Sequence, residues 1–520
     1  MSTMDGVELE ILWSNLIGVV NERAKALQRI AFSPIVREAG DLACALFDRR
    51  GRMVAQANTG TPGHINSLAF AGAHLVRLFD GKCEPGDVLI TNDPWLSAGH
   101  FFDITVLTPI YNGATLLAYI GSTIHHTDIG GYGIGAGARD VHEEGLWIPP
   151  LKLYNKGEPC PVLHAIIRSN VRTPDAVFGD LSAQVSSGQA AAEHLIALCE
   201  RYGLEDIETL SDEIIARSET ATRDAIRKLT PGTYHGESQF DVPGGEIITL
   251  KTAVTVDTES GSIIVDFAGS SPQTATGINV VLNYTHAYST FAIRSCLNPD
   301  LPNNTGSLAP IEIRAPEGSI INCTYPSPVN ARHVVGMYVP MPILKALHQV
   351  MPERVLAEGS GAVWTMQIQG RRENGDVFTS SMFNYSGGMG ARATKPGLSA
   401  TCYPTGVAAV PIEILEAAMP IVFDRKELRH DSGGAGRMTG GDGQIISFHM
   451  RTAFPWLLNA VPSRLLQGPD GIDGGAPGLH GRFLVNGESV SQARKLTMAA
   501  GDAVILETPG GGGYGTPSRG

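Results

Sequence analysis

The sequence predicts a mixed α+β chain of several domains. It reads as β-rich, with short strands and glycine-rich loops, and with helices concentrated at the N-terminus and over residues 174–228. Three observations predict this. Apolar residues recur at three- and four-residue spacing through Leu9, Leu12, Trp13, Leu16, Val20, Ala24 and Leu27, with charged residues between them. The same period returns over 174–202 and 204–228, with Gly203 placed to cap the first of these helices. Beyond residue 229 the pattern turns to short apolar runs, and the 520 residues include 61 glycines and 32 prolines, above ordinary usage of about 7% and 5%.

Taken in order, the first helix ends near Phe32-Ser33-Pro34, because proline disfavours helix in the residue before it. A hairpin follows, with a strand over 42–47, a turn at Asp48-Arg49-Arg50-Gly51 and a return over 53–55. Residues 69–79 read as a short helix stopped by Asp80-Gly81, and 88–90 as a buried strand after Pro85-Gly86-Asp87. Strands over 104–111 and 116–123 flank Asn112-Gly113, the strongest short hairpin signal. Further strands are expected over 246–256, 262–267, 311–314 and 320–323, and a helix over 339–351. Composition shifts near 230 and 330 divide the chain into a mixed N-terminal region (1–228), a β-rich region (229–330) and a β-rich C-terminal region with a glycine-rich tail (331–520).

Composition excludes several classes. Hydrophobic residues make up 43% and charged residues 18%, so a sizeable core can form and general disorder is excluded. A net charge of −13 argues against a nucleic-acid or anionic-membrane surface. No apolar run approaches the roughly 18 residues of a membrane span, and the N-terminus lacks a basic segment followed by an apolar one. Seven scattered cysteines without a CxxC pair fit reduced thiols, so a cytoplasmic location is expected.

The motifs for nucleotide and hydrolase chemistry fail first: GxxxxGK[ST], GxSxG, HExxH and CxxC are all absent. Gly510 to Gly515 satisfies GxGxxG, but no helix follows to present its N-terminus to a phosphate, so it reads as a shaped loop. The informative stretch is 92–128. His100 and Asp103 precede one strand of the expected hairpin, while His125, His126 and Asp128 follow its partner. In an antiparallel pair those two ends lie side by side. Imidazoles and carboxylates meeting there suit a borderline divalent ion such as Zn, Mn or Fe; turn capping is the alternative reading of the same residues. On the residues alone His64 reads as a loop histidine and Asp41 as a turn residue. Arg332 reads as a surface arginine, and the glycine-rich run 431–441 as a turn rather than an anion-binding nest.

At these residues the sequence resembles the hydantoinase B/oxoprolinase family, the B-type subunits of ATP-dependent hydantoinases, oxoprolinases and related lactamases. Acetone and acetophenone carboxylases carry homologous subunits. The matching motifs are SPIVREAGDLACALFD (33–48), TNDPWLSAGHFFDITVLTP (91–109), HHTDIGG (125–131), EEGLWIPPLKLY (143–154), PDLPNNTG (299–306), PEGSIIN (316–322), DSGGAGRMTGG (431–441) and TPGGGGYGTP (508–517).

The resemblance implies a metal-bearing B-type subunit that works with an A-type subunit of actin-like fold, which binds ATP and Mg. ATP would phosphorylate the carbonyl oxygen of a hydantoin, 5-oxoproline or lactam ring, and water would then open the activated ring. It also implies Asp41, His100 and His125 as metal ligands. His64, Asp103, His126 and Asp128 are implied as acid/base or orienting groups. Trp95-Leu96-Ser97-Ala98 and Phe101-Phe102 depart from the commoner family pattern and bear on the substrate class. Two alternatives stand beside ring hydrolysis: a component of an ATP-dependent ketone carboxylase, and a non-catalytic scaffold for the A-type partner.

Overall fold

The computed structural model of the chain describes residues 6–361, 363–491 and 495–517. Seven strands form the first sheet: β1 (Leu42–Phe47), β2 (Met53–Gln56), β3 (Val88–Thr91), β4 (Asp103–Asn112), β5 (Thr115–His125), β6 (Leu151–Asn155) and β7 (Glu158–Pro159). Their order is β2-β1-β5-β4-β3-β6-β7, and every pair is antiparallel. Helices α1 (Gly6–Ile30) and α2 (Pro34–Arg37) precede it, α3 (Pro62–Leu78) follows β2, and α4 (Pro161–Asn170), α5 (Pro174–Tyr202) and α6 (Glu208–Ile226) come after it.

The strand period shows why β1 is buried along its whole length. Leu42, Cys44 and Leu46 pack with α1 and α5 on one face, whereas Ala43, Ala45 and Phe47 pack with α3 on the other. Helix α3 starts seven residues earlier than the apolar spacing predicts. Thr61 caps it, its hydroxyl accepting from the His64 amide at 3.3 Å, and Pro62 occupies the first turn. That extension turns His64 from a loop residue into a helical one. Helix α6, by contrast, starts later than expected, at Glu208 rather than at 204.

The second sheet holds β8 (Gly232–Asp241), β9 (Ile247–Asp257), β10 (Ser262–Asp266) and β11 (Ile311–Arg314), in the order β11-β10-β9-β8, with β10 and β11 parallel. Between β10 and β11 the chain forms helices α7 (Leu282–Leu297) and α8 (Thr305–Leu308). Residues 229–325 were expected to be strand material. Helix α7 escapes that reading because burial over most of its length, from Tyr284 to Leu297, erases an amphipathic stripe. The strand expected over 320–323 is instead a turn closed by a bridge between Ser319 and Asn322. Helices α9 (His333–Gly336) and α10 (Pro340–His348) follow, the latter shorter than the expected 339–351, and α10 packs on β8 and β9. One apolar cluster takes residues from both sides of residue 228 and of residue 330, including Ile104, Val254, Val281 and Ile343.

The C-terminal half carries two antiparallel sheets over a common core that includes Trp364, Ile368, Phe448, Trp456 and Leu506. One holds β12 (Val363–Arg371), β13 (Val377–Ser386), β16 (Trp456–Ala460) and β19 (Leu496–Met498). The other holds β14 (Ile421–Arg429), β15 (Gly443–Met450), β17 (Arg482–Val485), β18 (Glu488–Ser489) and β20 (Ala503–Glu507), while α11 (Ile412–Ala418) precedes β14. The glycine-rich loops pack backbone against backbone beside these sheets. The Gly511 amide donates to Gly441, that of Gly441 to Met389, and that of Gly434 to Gly511. A Cβ on Gly511 would lie 2.1 Å from the Met389 carbonyl oxygen. Among the described residues no helix is long and apolar enough to cross a membrane.

Candidate metal centre

The β4–β5 hairpin builds the centre. Its register sets Asp103, the first residue of β4, directly opposite His125, the last of β5. His100 lies three residues before Asp103, in the loop entering β4. Gly99 permits the bend at φ +90°, and a Cβ there would meet Arg332 Cδ at 3.1 Å. One donor atom from each of His100, Asp103 and His125 falls within 4.8 Å of the others, and all three residues are buried.

Asp103 is the hub. Its Oδ1 lies 2.8 Å from His100 Nε2 and 3.0 Å from His125 Nδ1. Its Oδ2 lies 2.7 Å from His64 Nε2 and accepts from Arg332 Nη2. Burial works against the ionised carboxyl, but His100, His64 and Arg332 outweigh it and hold the group well below the ordinary carboxylate range. The expectation of a surface position for Arg332 is overturned. It is 3% exposed, its Nε donates to the Ala98 carbonyl, and its guanidinium lies 4.2 Å from the centre of the Tyr284 ring.

His100 is held between a backbone carbonyl and the Asp103 carboxylate. Its Nδ1 lies 2.8 Å from the carbonyl oxygen of Asn330, which can only accept, so Nδ1 carries the proton. In the neutral ring Nε2 is then a lone pair, and it faces a carboxylate oxygen at 2.8 Å. Burial, with Arg332 nearby, pushes the pKa of His100 down to about 3. In the neutral form of His100 that lone pair, beside the Asp103 carboxylate, is a donor that a cation can take up. Two imidazoles and a carboxylate are the donors that borderline divalent ions take, and three protein donors leave positions for water or substrate.

The brace behind His100 is itself buried. Glu144 accepts the amides of Val329 and Asn330 at 2.7 and 2.8 Å, and Asn330 Nδ2 donates to Gly133. Burial raises the Glu144 carboxyl well above its ordinary value.

The other predicted site residues divide between the centre and its surroundings. His64 joins it from α3, with Nδ1 3.3 Å from Asp41 Oδ1. Burial lowers its pKa, but Asp103 and Asp41 together more than offset this and hold it above the ordinary imidazole value. Asp41 lines the same cavity but reaches the cluster through His64 rather than standing among its three donors. His126 and Asp128 lie outside the cavity. His126, one residue past the end of β5, has Nε2 3.3 Å from Gln184 Oε1 on α5. Asp128 accepts from the Gly130 amide and pairs with Arg172, organising the turn into α5. In the glycine-rich run, the Ser432 and Gly433 amides are occupied by the Asp442 carboxylate, so this segment is a turn, as expected.

A cavity of about 40 Å³ lies beside Asp41, His64, His100 and His125. Tyr284, Tyr288, Arg332 and His333 form its polar wall, and Ile134, Met337, Val363 and Val407 its apolar one. Tyr284 and Tyr288 arrive from α7, the helix hidden from sequence reasoning, and no local motif marks them. His333 carried a signal only as the neighbour of Arg332.

Residues 5–517 match the model of the Hydantoinase B/oxoprolinase family. An uncharacterised protein of Methanocaldococcus jannaschii is 32% identical over 99% of this chain and 91% of its own length. A protein of Pseudomonas sp. strain NS671, named as the putative B component of a D-/L-hydantoinase, is 30% identical, with 99% and 91% covered. Arabidopsis thaliana 5-oxoprolinase 1 is 29% identical over 98% of this chain, which spans only 42% of that protein. Among solved structures, the ATP-dependent caprolactamase of Pseudomonas jessenii superposes with a TM-score of 0.88 at 26% identity, covering 99% of this chain and 92% of its own. A chain of nucleotide-free acetone carboxylase superposes with a TM-score of 0.89 at 19% identity, covering 98% and 76%, a likeness of fold.

Proposed function

The chain belongs to the hydantoinase B/oxoprolinase family, and we propose that it is the metal-bearing B-type subunit of an ATP-dependent cyclic amidohydrolase. It would open a hydantoin, 5-oxoproline or lactam ring at the carbonyl carbon. The observation that carries the reading is the buried cluster of His100, Asp103 and His125, whose donor atoms lie within 4.8 Å of one another. These three residues would hold a Zn, Mn or Fe ion. Bound there, such an ion supplies Lewis acidity and lowers the pKa of a coordinated water.

The chain's own groups supply the rest. Arg332 keeps Asp103 ionised and oriented. His64, flanked by Asp41 and Asp103, holds a proton at a ring nitrogen and can release it to the ring nitrogen that leaves as the amide C–N bond breaks. The apolar wall excludes water from the remaining ring face. The sequence has no phosphate-binding loop, so ATP and Mg are assigned to an A-type partner. The partial span of 5-oxoprolinase 1 supports this division, because the remainder of that longer chain can house such a unit. Free thiols at Cys44, Cys199 and Cys296 fit a cytoplasmic setting.

The test is reconstitution with an A-type partner, ATP and a panel of hydantoin, 5-oxoproline and caprolactam, with and without bicarbonate. Ring opening and ADP release independent of bicarbonate are expected. Loss of turnover in His100→Ala, with the complex still assembled, and no ATPase from the isolated chain are also expected. Turnover that requires bicarbonate would establish the carboxylase reading. Full turnover in His100→Ala would leave only a scaffold.

A further inference from the structure

A second cavity lies on the far side of the α3 N-terminus. Thr61 lines the metal cavity, whereas its neighbours Gly60 and Pro62 line the second one, which has a volume of about 300 Å³. The residue that makes it notable is Arg294 on α7. Arg294 is 8% exposed, and Nη2 donates to the Leu301 carbonyl, but Nε and Nη1 are buried without a partner. No carboxylate among the described residues pairs with it, and burial alone pulls its pKa down to about 10. A buried guanidinium normally has a counter-ion, because removing it from water costs more than neutral contacts return.

The rest of the lining suits the missing anion. Asn303 Nδ2 donates to Asn66 Oδ1 and Gln56 Oε1, both at 2.7 Å, and Asn66 Nδ2 donates to Thr290 at 2.8 Å. The chain of amides therefore ends in the Gln56 Nε2 donor, on the wall that Arg294 shares. Ile65, Phe291 and Pro299 supply an apolar flank. Pro299 and Asn303 belong to the PDLPNNTG segment, which the metal centre does not use.

We propose that this cavity is a binding site for a small monocarboxylate with an apolar body, its carboxylate paired with Arg294 and its body laid against Phe291 and Ile65. One guanidinium among neutral amides balances one negative charge, which favours a carboxylate over the more highly charged phosphate. The proposal does not depend on the reaction at the metal centre.

The test is isothermal titration of the full chain with benzoate, benzyl alcohol and inorganic phosphate, for the wild type beside Arg294→Met. Benzoate should bind the wild type saturably and raise its melting temperature. Benzyl alcohol and the Arg294→Met protein with benzoate should each show binding at least about tenfold weaker. Without anion, Arg294→Met should melt no lower than the wild type, because it removes an uncompensated buried charge without removing bulk. Three results would each overturn the proposal: benzoate binding equal in both proteins, phosphate binding without benzoate binding, or a folded wild type that binds neither anion.

Discussion

His100 is held by two contacts: Nδ1 donates to the Asn330 carbonyl at 2.8 Å, and Nε2 faces Asp103 Oδ1 at 2.8 Å. The donor roles can be separated by substitution. Purified chains of His100→Ala, His125→Ala and Asp103→Asn should lose the divalent ion, measured by plasma mass spectrometry, whereas Asp41→Ala should keep it, since Asp41 touches His64 rather than the donor cluster. Asparagine is chosen at 103 because an apolar replacement would leave Arg332 buried and unpaired, a cost of about 3–5 kcal/mol. Metal retained in Asp103→Asn but lost in Asp41→Ala would make Asp41 the carboxylate ligand, as the family resemblance implies.

At the scale of elements, the C-terminal half depends on loops whose shapes are set by close backbone packing. The segments around Met389, Gly441 and Gly511 touch through their main chains, and a methyl group at Gly511 has no room beside the Met389 carbonyl. Gly511→Ala should therefore destabilise the chain by about 1–3 kcal/mol, read as a lower midpoint in urea. Gly18 in α1, where nothing lies within 4 Å of an added Cβ, is the contrast. Alanine there should stabilise by about 0.5–1 kcal/mol, because the backbone is already helical. Equal behaviour of the two variants would mean that the glycine loops do not pack as described.

Across the whole molecule, Glu358 ties the second sheet to the C-terminal half. It accepts from Ser238 on β8 at 2.6 Å, from Lys345 on α10 at 2.8 Å and from Arg464 at 2.6 Å. Burial alone would raise its pKa, but Arg464 and Lys345 outweigh burial and bring it down to about 2. A depressed carboxylate contributes stability that is fully present above its unfolded value of about 4.3 and is lost as pH falls towards about 2. Glu358→Gln should be clearly less stable than the wild type at pH 7, and the gap should narrow between about pH 4 and pH 2. Urea titrations at several pH values check this; a gap constant with pH would show that the charge of Glu358 does not carry the tie.

Local pattern determined much of this protein. The three-and-four spacing of α1 and α5, the Asn112-Gly113 hairpin and the meeting of His100 and Asp103 with His125 all follow from residues close in sequence, where the helical period and strand pairing act directly. The family resemblance added His64 and Asp41, and both line the same cavity. What was not legible came from distant segments: α7 with Tyr284, Tyr288 and Arg294, the burial of Arg332 229 residues from Asp103 in sequence, and the Glu144–Asn330 brace. A buried helix lacks a polar face to betray it. An arginine looks like a surface residue until a carboxylate from another element neutralises it. Local chemistry determined which groups gather at the hairpin edge; only the tertiary fold decided which of them are buried, charged and aimed at one another, because burial and ion pairing depend on neighbours the sequence does not place side by side.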